Sequence, residues 1–193
     1  MQQDLSSISN KIERKVLAFM TELCKLVKGI LIEALVQANS NVMPEYSIDT
    51  ETLISYTKYT PPKLIGNQIT CDIYIDTYEL QRQEEKDAVF HESKLLEWSR
   101  YKFTFDGVNG KSGDNQIDGK PIAWHMVNWL EKGNTMPFAV GNQPIRAAHV
   151  FYHAYRWTTT RWNELIDKAL IRANAKDIKS FIHIFPPILI EAI

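Results

Sequence analysis

The sequence predicts an α+β fold: a long N-terminal helix and a long C-terminal helix packed on a small antiparallel β-sheet, with an insertion and an extended C-terminal arm. Three patterns carry that expectation. Apolar residues step by three and four from Leu5 to Leu35, the spacing of an amphipathic helix. Apolar and polar residues alternate from Gln68 to Asp76, the signature of a half-buried strand. A second helical spacing runs from Pro144 to Ala173. The chain has 193 residues and a net charge of −1, so one domain over 1–178 is expected, with an insertion at about 78–120 and an arm over 179–193.

The first helix follows from Leu5, Ile8, Ile12, Val16, Phe19, Leu23, Val27, Ile30, Ala34 and Leu35. Ser6, Ser7 and Ser9 offer N-caps. Asn39–Ser40–Asn41 and then Pro44 mark its end. Gly29 costs about 1 kcal/mol relative to Ala inside a helix, a cost that close packing would explain. Asp49 to Tyr56 reads as a short helical turn capped by Asp49 or Thr50. Pro61–Pro62 breaks the chain. In the strand that follows, Ile69, Cys71, Ile73 and Ile75 share one face, while Thr70, Asp72, Tyr74 and Asp76 take the wet one.

The insertion is charge-dense over 79–100, and a surface helix is expected from about Asp87 to Trp98. Tyr101 to Phe105 reads as a strand and Asp106 to Asn115 as a mobile polar loop. Ile122 to Gly133 is too apolar for a loop and reads as a short helix or a bulged strand. The long closing helix starts at Pro144. Its apolar face is Ile145, Ala148, Phe151 or Tyr152, Tyr155, Trp162, Leu165, Ile166 and Leu170. Thr158-Thr159-Thr160 is a β-branched weak point within it. Phe181 to Ile190 is apolar, carries Pro186–Pro187, and reads as an extended arm or strand that needs a cover.

Composition excludes several classes. The hydrophobic fraction is 45% and the charged fraction 23%, which excludes wholesale disorder. Near-neutral charge excludes a generally basic nucleic-acid coat. No signal peptide is read at Met1 to Asn10, and the longest apolar stretches fall short of the ~20 residues of a membrane span. A soluble chain with no membrane role is expected. Cys24 and Cys71 are expected to be buried free thiols in a reducing compartment.

Chemical motifs fail on inspection. Gly110-Lys111-Ser112 resembles the end of a phosphate-binding loop, but the required earlier glycine is Phe105. Asp114, Asp118 and Gly119 imitate a calcium loop, yet its third and twelfth positions are Gln116 and His125. His149 and His153 have a metal-binding spacing on the closing helix, without a nearby carboxylate or thiolate. No catalytic, cofactor-binding or metal-ligating set is read, and no cofactor is expected. From Arg146 to Lys179 seven bases meet three acids. Arg156, Trp157, Arg161 and Trp162 interleave charge and aromatics as a candidate DNA-proximal or docking face.

Pro44 followed by Ile48-Asp49-Thr50-Glu51-Thr52-Leu53-Ile54-Ser55 resembles a motif of small minor tail proteins of tailed phages. There a long first helix leads to a proline, Asp-Thr-Gly, a leucine and a serine, then a strand pair. Trp124 to Thr135 is similar to that family's later apolar segment, with Glu131-Lys132-Gly133-Asn134-Thr135 at its end. Met136-Pro137-Phe138 and Gln143-Pro144-Ile145-Arg146-Ala147-Ala148 look like its loop and closing-helix start. The family is the tail-completion, or neck (head–tail joining), family. The match covers roughly 5–77 and 120–172. Glu51 replaces the motif glycine, and the insertion and arm are additional.

The resemblance implies a structural virion protein, not an enzyme. It implies an α+β subunit of a homo-oligomeric ring at the head–tail junction, touching connector, portal-adaptor or tail-tube proteins and passing DNA. Localisation would be the virion neck or tail, and the host cytoplasm during assembly. The expected subunit or partner interface is Phe181, Ile182, Ile184, Phe185, Ile188, Leu189 and Ile190. Other readings are a tail terminator or other connector ring, a small metal-dependent enzyme using His149 and His153, and a DNA-binding accessory protein.

Overall fold

A computed structural model describes residues 2–41, 50–65, 68–80, 82, 116–117, 120–121, 124, 127–128, 131–133, 147–185 and 187. The chain mixes helices with small antiparallel strand pairs. Helix α1 (Gln2–Asn41) is followed by α2 (Thr50–Ser55), β1 (Thr57–Tyr59), β2 (Lys63–Ile65), β3 (Gln68–Thr70) and β4 (Ile73–Ile75). Next come β5 (Gln116–Ile117), β6 (Lys120–Pro121), α3 (Val150–Thr160), α4 (Trp162–Arg172) and a 3-10 turn over Lys176–Ile178. The expected elements at 87–98, 101–105 and 106–115 lie outside the described residues, as do the candidate cap Asp49 and the helix-stop signal Pro44.

Helix α1 has the predicted C-terminal limit and is longer than predicted, at 40 residues. It starts at Gln2, so Ser6, Ser7 and Ser9 lie inside it rather than capping it. Phe19, Leu23, Ile30, Ala34 and Leu35 of the predicted stripe are buried, whereas Ile12 is 37% exposed. Among the described residues Gly29 serves no close approach: a Cβ built there meets nothing within 4 Å.

The strands do not join in one sheet. Among the described residues they form three two-stranded ladders, β1–β4, β2–β3 and β5–β6. Pro61–Pro62 is the cause for the first two, because neither proline has an N–H to donate to a ladder. β2 and β3 pair antiparallel, with Lys63 opposite Thr70 and Ile65 opposite Gln68. At the base of that hairpin the Thr60 N–H donates to the Asp72 carbonyl at 2.9 Å. The Asp72 N–H donates to Thr60 Oγ1 at 2.8 Å. Three residue steps on the first arm, Thr60 to Lys63, therefore oppose two on the second, Asp72 to Thr70. The proline pair sits in a one-residue bulge, and the predicted continuous strand 68–76 is interrupted at Cys71–Asp72. Most of its predicted facing survives the break: Ile69, Cys71, Ile73 and Ile75 are the more covered set, and Thr70, Asp72 and Tyr74 are exposed, but Asp76 of the predicted wet face is half-buried.

Asp118–Gly119 connects β5 and β6, which pair with Ile117 opposite Lys120. A two-residue Asp-Gly link between short extended runs is a hairpin signal. At 127–128 and 131–132 the chain is helical, which decides between helix and bulged strand. Gly133 follows at φ 73°, a left-handed value that glycine adopts without a Cβ penalty and that ends helices.

The predicted closing helix is shorter at its start and divided in two. α3 begins at Val150, not Pro144. Thr158 Oγ1 donates to the Ala154 carbonyl, Thr159 Oγ1 to those of Tyr155 and Arg156, and Thr160 Oγ1 to that of Arg156. Consecutive back-bonds of this kind bend helices, and α3 gives way to α4 at Arg161, one residue after the threonines. α4 ends in a Schellman arrangement. Asn174 has φ 50°, its N–H donates to the Ile171 carbonyl, and the Ala175 N–H donates to that of Leu170. Leu170 and Ala175 are both buried, the apolar contact that accompanies this cap.

The chain divides into two compact units. The first holds 1–33, 57–74 and 152–190. Its buried residues include Phe19, Leu23, Ile30, Leu31, Leu165, Ile166, Ala169, Leu170 and Ile178. Lys15 pairs with Asp177 and Glu33 with Arg161. The early α1 residue meets the late partner and the late one the early partner, so α4 runs antiparallel to α1. Lys15 and Glu33 are five helical turns apart, about 27 Å, on the same face. Cys24, nine residues from each, falls on the opposite face. The second unit holds 34–56, 75–151 and 191–193, with Leu35, Leu53, Leu80, Val127 and Val150 buried. In it, Asp76 caps a helical turn at 77–80, its Oδ1 accepting the Glu79 N–H at 3.0 Å.

Candidate functional site

The predicted contact residues fall on α3, α4 and the segment beyond the 3-10 turn, all in the first unit. Phe181 is 76% exposed and Phe185 66% exposed. Ile182 and Ile184 are half-buried, so covered and exposed apolar positions alternate. Residues 182–185 take neither helix nor strand. The Phe181 N–H is bonded back to the Ile178 carbonyl, which fixes where the segment leaves the turn. His183 meets Phe185 edge to face, with ring centroids 4.6 Å apart. Ile188, Leu189 and Ile190 lie outside the described residues.

The second candidate set separates by chemistry. Arg156 is exposed, with its guanidinium 5.9 Å from the Tyr152 ring centroid. This contact leaves its N–H groups at the surface. Arg161 is bound to Glu33 at 3.2 Å. Trp157 is half-buried and its ring lies 5.9 Å from that of His153. Trp162 is half-buried, with its indole Nε1 buried and without a hydrogen-bond partner among the described residues. A tryptophan held that way offers less free ring than a base-stacking platform uses.

Part of the positive stretch is paired with acids. Lys168 pairs with Glu164, Lys179 with Asp167 at 2.6 Å, and Asp177 receives Lys15 from α1. The hydrogen bond from Lys168 holds the Glu164 carboxyl below the usual carboxylate range, and that from Lys15 does the same for Asp177. In α1, the hydrogen bond to Glu22 raises the Lys25 ammonium. Exposed pairs of this kind contribute little stability each. Glu33 brings one acid to the stretch and Lys15 one base, so its net excess of four positive charges is unchanged.

The histidine pair is not on one helix. His149 precedes α3 and has φ 49°. Sequence spacing presumed helix back to Pro144, and the shorter α3 removes that premise. Histidine is among the non-glycine residues that tolerate such a φ. Glu131 fixes the helix start: its carbonyl accepts the His149 N–H at 3.3 Å and its carboxylate accepts the Phe151 N–H at 2.8 Å. Anions are favoured at helix N-termini, and a carboxylate from another segment here takes the part of an N-cap. Nothing in the sequence pairs Glu131 with this helix start, eighteen residues further on. Among the described residues, no group of three or more His, Cys, Asp or Glu is placed to hold a metal ion. No described helix is long and apolar enough to cross a membrane.

Cys24 and Cys71 are not free thiols. They are joined across 47 residues of sequence, with their Cα atoms 6.9 Å apart. Periodicity put each on a covered face, and tertiary placement put the two faces together. The chain matches no known protein family, no characterised protein and no solved structure.

Proposed function

We propose that this chain is a structural subunit of a tailed-phage neck, one copy in a homo-oligomeric ring that completes the tail at the head–tail junction. The observation that carries the reading is the apolar segment beyond the 3-10 turn, with Phe181 76% and Phe185 66% exposed. Apolar surface of that kind is a liability on a free monomer and a gain at an interface. A ring of one chain closes through heterologous contacts, in which one surface meets a different surface of the next copy. The order of elements supports the same reading: a long first helix, a short helix at 50–55, a strand pair, a helical segment ending at Gly133 and a closing helical pair. In the ring the two long helical elements pack over the small strands. The 78–120 insertion and the arm reach connector, portal-adaptor or tail-tube proteins. Arg156 is the base best kept for passing DNA. The site of action is the virion, after assembly in the host cytoplasm.

The test is the mass and shape of the full chain beside a chain lacking residues 180–193, by light scattering and electron microscopy, alone and with purified connector. Closed rings that need residues 180–193 are expected. A full chain that stays monomeric and also fails to bind connector would sink the reading. A ring that binds the tail tube but not the connector would replace it with a tail terminator.

A further inference from the structure

We propose that Cys24 and Cys71 form a redox-operated clasp that fixes the β2–β3 hairpin to α1. The hairpin has little else to hold it. From Pro61 to Asp72 no described residue is buried, and Leu64 and Ile65 are 53% and 64% exposed. A two-stranded hairpin without a buried face is at best marginally stable in water. The bulge at Pro61–Pro62 also interrupts the ladder through which β1 and β4 would support it. The covalent link enters where that ladder fails, at Cys71 between β3 and β4, and ends on Cys24 of α1.

The two sulfurs are not equally open. Cys24 is 4% exposed, while Cys71 is half-buried at the hairpin base. An incoming thiolate therefore attacks Cys71 Sγ, forms a mixed disulfide there and expels Cys24 as the thiolate, which takes up a proton. A second thiol then attacks the added sulfur and releases Cys71 as its thiol. The net step converts one protein disulfide and a dithiol into two protein thiols and the oxidised dithiol. Closure is the reverse, with a small-molecule disulfide as the oxidant. The clasp makes the order of residues 61–72 depend on the thiol poise around the protein and leaves the α1–α4 contact in place.

Hydrogen exchange read by mass spectrometry tests this on the full chain in three states: oxidised, reduced with dithiothreitol, and the Cys71→Ser variant. Peptides within 57–75 are expected to exchange about tenfold faster in the two open states, with α4 peptides unchanged. Reoxidation of the reduced wild type should restore the slow exchange, which serves if the variant does not fold. With glutathione, the adduct is expected on Cys71, with Cys24 left as a thiol that alkylates once the protein is denatured. Equal exchange of 57–75 in oxidised and reduced wild type would overturn the proposal. So would alkylation of both thiols in native protein equilibrated with oxidised glutathione.

Discussion

On the α4 side of α1, Leu165, Ile166, Ala169 and Leu170 are buried, and the turn that follows adds Ala175 and Ile178. On the hairpin side no described residue from Pro61 to Asp72 is buried, and one covalent link replaces a packed face. The rims differ too. Lys15–Asp177 and Glu33–Arg161 border the helical contact at two points five turns apart, whereas the hairpin is tied near one. Burial distributes stabilisation over many atoms and fixes an orientation. A single cross-link acts chiefly on the unfolded chain, by removing loop entropy. Two elements can thus be attached to the same helix, one as core and the other as a conditional appendage.

Leu170→Ala should have the largest effect. Its side chain is 1% exposed, and emptying such a site costs about 3–5 kcal/mol, read by urea denaturation. A loss under about 1 kcal/mol would break the view that the helical side holds the core. Reducing Cys24–Cys71 comes next. The chain-entropy account for a closure across 47 residues gives about 4 kcal/mol, and typical values are about 2–4. A stability unchanged by reductant would mean that the hairpin side is held by something other than the link. Glu131→Ala removes the carboxylate that caps α3, for a loss of about 1 kcal/mol in the range of N-cap deletions. Thermal melts of the variant and of Glu131→Gln would show whether charge or hydrogen bonding matters more.

Gly29→Ala should stabilise by about 1 kcal/mol, because the position is helical and open. A destabilising result would show that this part of α1 is covered in an assembly. The smallest effect is electrostatic. The Asp177 carboxyl titrates below its ordinary range because Lys15 donates to it. Its contribution is therefore intact above the ordinary carboxylate range and is lost as acid protonates the folded-state carboxyl. Asp177→Asn should flatten the acid limb of the stability profile and leave it unchanged near neutral pH.

The residues that sequence reading placed well are those whose partners lie along the chain. α1 shows its period over many turns, and the 69–75 alternation gives the correct facing even where the strand is broken. Thr158-Thr159-Thr160 marks the α3–α4 break because its hydroxyls bond within one turn. The misplaced start of the closing helix has the opposite cause. Pro144 is a reasonable local signal, but α3 begins where Glu131, eighteen residues before His149, supplies the cap. Of the predicted contact residues, composition identified the exposed Phe181 and Phe185. It did not foresee that Arg161 would be taken by Glu33 or that the Trp162 indole N–H would be buried.

By itself the sequence determined the periods: which stretches are helical, which strand residues share a face, and where prolines and threonines interrupt them. Those properties follow from local sterics and side-chain spacing. Only the tertiary structure decided that Cys24 meets Cys71, that α4 runs antiparallel to α1, and that a proline bulge separates the β1–β4 and β2–β3 ladders. Each of these pairs residues far apart in the chain. Such a pairing depends on how separate apolar faces bury one another, which local spacing does not encode.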